Sequence, residues 1–201
     1  MVTTTTGASR CGRSGRVRGD AGDDARVDDV VWTGGQLSTA EVDDLTTRAF
    51  SPPPLDDAGG GRSAAAMHGH FSTRPGATGL TARTSDGRLL GHGYGYPEFR
   101  WADHSSDWDD LLRAALGGED PRLDGAWTLM LLAVDPVARG RGLGRCLVRG
   151  VVPAGSAAWL VTRDADTPAQ CLYAAEGWTE IGRGPLGQPG DISAVLFKQP
   201  D

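Results

Sequence analysis

Leu129-Met-Leu-Leu-Ala-Val134-Asp-Pro-Val-Ala-Arg139-Gly-Arg-Gly-Leu-Gly144-Arg-Cys-Leu-Val148 is the stretch that decides how this chain is read. Its first six residues are an unbroken apolar run, the mark of a strand buried on both faces. The run empties into a loop of alternating arginines and glycines, and Leu143, Cys146 and Leu147 then recur at helical spacing as an inward stripe. A strand that passes through a glycine-rich turn into a helix start makes a cradle for phosphates. The N–H groups of the first helical turn have no partner inside the helix and point at the anion. Glycine lets the backbone approach closely and adopt left-handed conformations. Arg139, Arg141 and Arg145 add positive charge.

Three phosphate loops compete for this pattern. A P-loop requires G-x-x-x-x-G-K-[ST], and no such lysine follows here. A dinucleotide fingerprint requires G-x-G-x-x-G after the first strand of its unit, whereas Gly140, Gly142 and Gly144 lie well past mid-chain. The third pattern, [QR]-x-x-G-x-[GA], is met by Arg139, Gly142 and Gly144. A second segment follows: Asp166-Thr-Pro-Ala169-Gln-Cys-Leu-Tyr173-Ala-Ala-Glu-Gly177-Trp178. Asp166 can cap a helix there, Pro168 suits its first turn and Gly177 stops it. Between the two segments there is room for one helix and one strand, as a βαβ crossover needs.

On these two segments, which span about a quarter of the chain, the sequence resembles the GNAT superfamily of N-acetyltransferases. Val134-Asp135-Pro136 ahead of the loop is also typical of it, and the second segment is similar to the family's N-x-x-A-x-x-x-Y-x-x-x-G-[FW]. The resemblance implies an α/β fold: a mixed, largely antiparallel sheet with a central parallel βαβ unit and helices on both faces. It implies acetyl-CoA as cosubstrate, no metal, and direct acetyl transfer to a primary amine of a small molecule. The pyrophosphate would sit on the N–H groups of Gly140, Gly142, Leu143 and Gly144 and the side chains of Arg139, Arg141 and Arg145. Main-chain groups of Leu132, Ala133 and Val134 would meet the pantetheine arm, with Asp166, Ala169 and Tyr173 also on the cofactor. Tyr173 would be the general acid that protonates the departing thiolate. An acyl-CoA-binding module without turnover and a protein or peptide N-acetyltransferase are the alternatives.

Two positions depart from the family. Many relatives carry a glutamate where this chain has Leu131, and the family's usual asparagine is Asp166 here. The general base is therefore open: a water chain, or Glu98, Asp103 or His104, which follow a glycine-rich strand. That strand, Leu89 to Tyr96, lies beside the substrate cleft by resemblance, with Tyr94 and Tyr96 as further candidates. An alkyl amine with a pKa near 10.4 is almost wholly protonated at neutral pH, so some route for its proton is required.

Composition bounds the rest. The chain has 201 residues, 39% hydrophobic, with 30 glycines and 12 prolines, enough for one full core. Residues 1–25 read as a disordered tail and 26–201 as a single acyltransferase domain. No apolar stretch reaches membrane-span length and the N-terminus lacks an apolar signal region, so no membrane partner is expected. Cys11, Cys146 and Cys171 show no paired spacing, which suggests a reducing, cytoplasmic setting. The net charge of −6 argues against nucleic acid and favours a cationic acceptor. A monomer and a homodimer are both compatible with the sequence.

Further patterns fix other elements. Val27 to Thr33 reads as a first strand. Ser38 with Glu41 forms a capping box for a helix to about Phe50 that presents Val42, Leu45 and Ala49, and Ser51-Pro-Pro-Pro54 stops it. Asp56 to Arg62 reads as a loop, and His68-Gly-His70 as loop histidines, too few for a metal site. Asp86-Gly87 between two strand patterns predicts a hairpin, and the glycines of its second strand suggest a bulge or close approach of a ligand. Trp108 to Leu116 predicts a short helix, while Trp101 and Trp108 suit either a pocket wall or packing under a loop. Trp127 to Val134 is the central strand, Gly142 to about Gly150 and Thr167 to Glu176 are helices, Ala158 to Thr162 is a strand, and two antiparallel strands close the sheet.

Overall fold

The computed structural model describes residues 30–57, 59–187 and 190–200. The tail expected at 1–25, together with Cys11, lies outside them. In chain order the elements are β1 (Val31–Gly34), α1 (Thr39–Phe50), α2 (Gly60–Phe71), β2 (Thr78–Arg83), β3 (Leu89–Tyr96), α3 (Asp107–Leu116), β4 (Trp127–Val134), α4 (Leu143–Val151), β5 (Ala158–Arg163), α5 (Pro168–Ala175), β6 (Thr179–Gly184) and β7 (Ser193–Lys198). The strands form one sheet in the order β1-β2-β3-β4-β5-β7-β6. Every neighbouring pair is antiparallel except β4 and β5. The expected mixed sheet with a parallel βαβ unit is therefore present. No helix among the described residues is long and apolar enough to cross a membrane.

Local chemistry explains most boundaries. The Ser38 side chain accepts from the Glu41 N–H and the Glu41 carboxylate answers to the Ser38 N–H, so two orphan donors of α1 are satisfied reciprocally. Ser106 and Asp109 do the same for α3. The predicted hairpin turns at Gly87, whose φ of +92° suits glycine. At α5 the cap is Thr167, whose hydroxyl accepts from the Gln170 N–H at 3.2 Å. Asp166 is exposed one residue earlier, so its expected capping role passes to Thr167.

Three other expectations are corrected. The predicted loop after Asp56 gives way at Gly60 to α2, which carries both histidines: His68 is buried and His70 exposed. Helix α2 exists because it packs on α1. A side chain at Gly61 would run into Thr47 and the Asp43 carboxylate, so the glycine permits the close approach of two helices rather than a loop. On α4 the inward stripe is Leu143, Leu147, Val148 and Val151, with Cys146 exposed; the helix is rotated from the expected phase. Cys171 on α5 is half-buried, so neither cysteine side chain is a core residue. Of the β3 glycines, Gly95 lies at a bulge against Thr128 and Trp127, and Gly91 and Gly93 face a helix. A Cβ at Gly91 would lie 3.1 Å from Leu147 Cδ1 and one at Gly93 3.5 Å from Val151 Cγ2, so these glycines let α4 sit down on the sheet.

Helices cover both faces. Val42, Leu45 and Ala49 of α1 and Ala64 of α2 pack on Leu89, Tyr94, Leu131 and Ala133. Val148 and Val151 of α4 and Tyr173 of α5 pack with Leu129, Leu160 and Leu196 on the opposite face. Leu112 of α3 packs with Trp159, Val195 and Phe197, which alternate with the residues under α4 and α5 and so point to the α1 side. Burial of these apolar side chains supplies the main driving force, roughly 1.5–3 kcal/mol for each large one.

Candidate active site

The parallel pair β4–β5 is a fork. Only Trp127 and Thr128 of β4 pair with Ala158 and Trp159 of β5, and the Trp127 N–H donates to the Ala157 carbonyl at 2.8 Å at the closed end. Beyond Thr128 the strands part. A bulge contributes: the register with β3 slips between Tyr94, opposite Leu131, and Gly95, opposite Leu129. Met130 is thus the extra residue, and a bulge of this kind bends its strand. The Asp135 N–H donates to Leu90 of β3 at 2.8 Å. By the two-residue period, Ala133 also turns its main chain to β3, while Leu132 and Val134 turn theirs into the fork. These two residues present main-chain groups that β5 does not meet.

At the wide end the chain enters the arginine–glycine loop. Gly140 and Gly142 have φ of +79° and +84°, the left-handed region that other residues enter at a cost. Gly142 is the N-cap of α4, so the first-turn N–H groups of α4 point out of the helix end. Gly144 has a second role: a Cβ there would lie 3.1 Å from Leu172 Cδ2, and its absence lets α5 approach α4. Leu143 offers only its main chain, its side chain being in the core.

The three arginines are used differently. Arg139 donates from Nη2 to the Ala49 carbonyl at 2.5 Å and from Nε to Val134 O at 3.4 Å, fastening the loop to the end of α1. Arg145 pairs with Glu176 through Nε at 2.8 Å. Arg149 pairs with the same carboxylate at 2.7 Å and so holds Glu176 below its ordinary pKa, chiefly by hydrogen bonding. Arg141 is half-buried in the loop itself.

Tyr173 lies on the α4–α5 face with its ring 5.6 Å from that of Trp178. It packs in the cluster that Leu132 and Ala169 adjoin, which brings three of the expected residues together beside the fork. Burial pushes its phenol well above the ordinary tyrosine range, so it stays protonated at neutral pH.

Where β5 ends, at the wide end of the fork, a cavity of about 410 Å³ is lined by Asp56, Asp57, Gly59, Arg62, Ser63 and Arg163. Arg163, the last residue of β5, alternates in phase with Val161 and Trp159 and so points to the α1 side. It donates to the Leu55 carbonyl and pairs with Asp191 and, at 3.7 Å, with Asp57. The segment between α1 and α2 therefore bridges the mouth. Its start is tied to the β4 side by Arg48 and Arg139, and its end to β5 by Arg163. Sequence reasoning missed this cavity because none of its residues shares a motif.

The substrate candidates lie elsewhere. Tyr96 is buried, its ring stacked 5.7 Å from Phe71 and covered by Arg74. Tyr94 is buried against His68, ring centroids 4.7 Å apart. Glu98 and Asp103 are exposed. His104 stacks 4.3 Å from Phe99 and its Nδ1 lies 2.9 Å from Asp109, so it belongs to the cap of α3. Glu98, Asp103 and His104 follow the end of β3 that pairs with Thr128, at the closed end of the fork and away from its mouth. Trp101 is buried with Nε1 donating to Asp120 O at 2.9 Å. Among the described residues no group of three or more His, Cys, Asp or Glu is placed to hold a metal ion.

No protein-family model and no curated protein sequence matches the chain. Solved structures do. A Desulfovibrio desulfuricans protein assigned to the GNAT acetyltransferase family superposes with a TM-score of 0.56 at 17% identity, over 85% of this chain and 98% of the other. NAA60 of Arabidopsis thaliana, solved with a bisubstrate analogue, gives 0.53 at 14% identity over 84% and 96%. A chain of the NatC complex, solved with Gag peptide and CoA, gives 0.57 at 13% identity over 86% and 99%. The chain has the GNAT fold.

Proposed function

We propose that this protein transfers an acetyl group from acetyl-CoA to a primary amine of a small molecule, without a metal and without an acyl-enzyme step. The observation that carries the reading is the fork: two main-chain positions of β4 that do not pair with β5, Leu132 and Val134, lead into a loop of left-handed glycines at the N-terminus of α4. The residues fit a coenzyme A thioester. Strand edge suits an extended amide-bearing arm, and a helix N-terminus suits a pyrophosphate. The N–H groups of Gly140, Gly142, Leu143 and Gly144 would hold the pyrophosphate with Arg141. Arg139 and Arg145 hold the loop to α1 and α5 and would add field rather than direct contact. Ala133, facing β3, shapes the strand, while Ala169 packs beside Tyr173 and Asp166 stays at the solvent edge.

The amine would enter from the cavity face and attack the thioester carbonyl carbon. A C–N bond forms, the C–S bond breaks, the thiolate takes the Tyr173 phenol proton, and the amine proton passes to water. Tyr173 then recovers its proton from solvent. Holding two substrates on opposite sides of one gap supplies most of the acceleration by orientation, and a placed acid adds about 10²–10⁴-fold. A small acceptor is favoured over a peptide because Arg163 holds the α1–α2 segment at Leu55 while pairing with Asp191, a bridge that would obstruct an extended peptide. The test is thiol release from acetyl-CoA across a panel of amines, with coenzyme affinity measured separately by calorimetry. Turnover with a small amine is expected. Tight coenzyme binding with no transfer to any amine would leave a binding module; turnover with peptides alone would reassign the acceptor.

A further inference from the structure

The cavity on the α1 side of the fork has a charge pattern of its own. Two of its lining groups are already engaged: Arg163 meets Asp57 and, just outside the lining, Asp191. The other two, the Asp56 carboxylate and the Arg62 guanidinium, make no ion pair among the described residues. They enter from different elements, Asp56 from the bridging segment and Arg62 from the first turn of α2. One unspent negative and one unspent positive group thus border one cavity whose volume suits a small ligand. Counting Asp57, Asp191 and Arg163 as well, carboxylates outnumber guanidiniums by one. The balance favours an ammonium overall, while Arg62 opposes a ligand that is only cationic.

We infer that the acceptor is a zwitterion of amino-acid type, its ammonium received at Asp56 and its carboxylate at Arg62. This rests on acetyl transfer at the fork and narrows the acceptor from a cationic amine to an amine that also bears an anion. Asp56 holds the amine at the mouth before it loses its proton. The Arg62 fork takes a carboxylate in two parallel hydrogen bonds. A diamine would meet the same carboxylates but would bring like charge against Arg62.

The experiment uses the full chain, acetyl-CoA, the common amino acids and the amines obtained from them by decarboxylation. At least one amino acid is expected to be acetylated with a KM about 10-fold or more below that of its decarboxylated partner. R62Q should reverse this order, raising KM for the amino acid and lowering it for the amine, with kcat little changed. D56N should raise KM for both. Equal use of each pair, preference for the decarboxylated amines, or an unmoved preference in R62Q overturns the inference. Failure of the transfer reading is seen separately, as absent coenzyme binding or absent turnover with every acceptor. In that case calorimetry of the amino acids and amines on the protein alone reads the charge selectivity directly, and equal or no binding of the two sets overturns the inference.

Discussion

Arg48 Nε lies 2.9 Å from Asp135 Oδ2, joining the last turn of α1 to the residue that follows β4. The aspartate side chain is 2% exposed. Its other partners are the Val137 N–H at 3.1 Å and Arg88 at 3.7 Å. Arg48 also donates to the Leu89 carbonyl. The carboxylate is thereby the pin that holds the start of the arginine–glycine loop against α1. Arg48→Ala leaves a buried charge short of its closest cation and should lower unfolding free energy by about 2–3 kcal/mol. A urea titration checks this, and a loss below about 0.5 kcal/mol would show that Arg88 and Val137 suffice.

Gly142 tests the loop. A Cβ there meets nothing within 4 Å, so the objection to a side chain is its φ of +84° and not its size. Gly142→Val should cost about 1–2 kcal/mol if the conformation persists. If the backbone relaxes instead, the N–H groups of α4 are re-aimed and coenzyme affinity should fall at least tenfold. Calorimetry with coenzyme A at matched salt distinguishes a lost site from a destabilised fold.

Tyr173→Phe removes one hydroxyl from the α4–α5 cluster and little volume. Its hydroxyl has no side-chain hydrogen bond among the described residues, and its shift is caused by burial alone. Stability should therefore hold or rise slightly, while kcat falls about 100-fold and coenzyme affinity stays within a factor of a few. Unchanged kcat would make Tyr173 a packing residue only.

Stability should also depend on pH below neutrality. His92 is fully buried, and burial, with the neighbouring His68, pushes its pKa from 6.5 down to about 4. The folded state resists protonation that the unfolded chain accepts, so this contribution is complete above pH 6.5. It is lost as pH falls from about 6.5 through 4, roughly 3 kcal/mol in all. The ring Nδ1 lies 3.0 Å from Thr81 Oγ1, and Glu41 and Arg83 act on it at longer range. Stability curves from pH 7 to 4 should steepen through His92, and His92→Gln should flatten them while lowering stability at pH 7.

Much of the sheet was readable because its signals are local. A continuous apolar run marked β4, Asp86-Gly87 marked the hairpin of β2 and β3, and Ser38 with Glu41 marked the start of α1. Helix α2 was not readable: Gly60, Gly61 and Gly69 weaken its intrinsic preference, and only the surface of α1 against it repays the helix. The phase of α4 was misjudged by the same route. Cys146 has the polarity of a core residue, yet Leu143, Leu147, Val148 and Val151 are the residues that meet the sheet. Asp166 was the cap expected from the sequence, and in the structure the extended Thr167 takes that place.

The sequence by itself determined the chemistry of the loop, since left-handed glycines, adjacent arginines and a helix start are properties of neighbouring residues. It also determined the parallel unit, through the length and apolarity of its strands. Tertiary structure alone decided which arginines are spent on holding the loop, where β4 and β5 part, and which charges face the resulting gap. Those outcomes join Arg139 to Ala49, Arg48 to Asp135 and Arg163 to Leu55. Contacts between groups so far apart along the chain leave no periodic trace in it, because they are selected by packing geometry and not by local backbone preference.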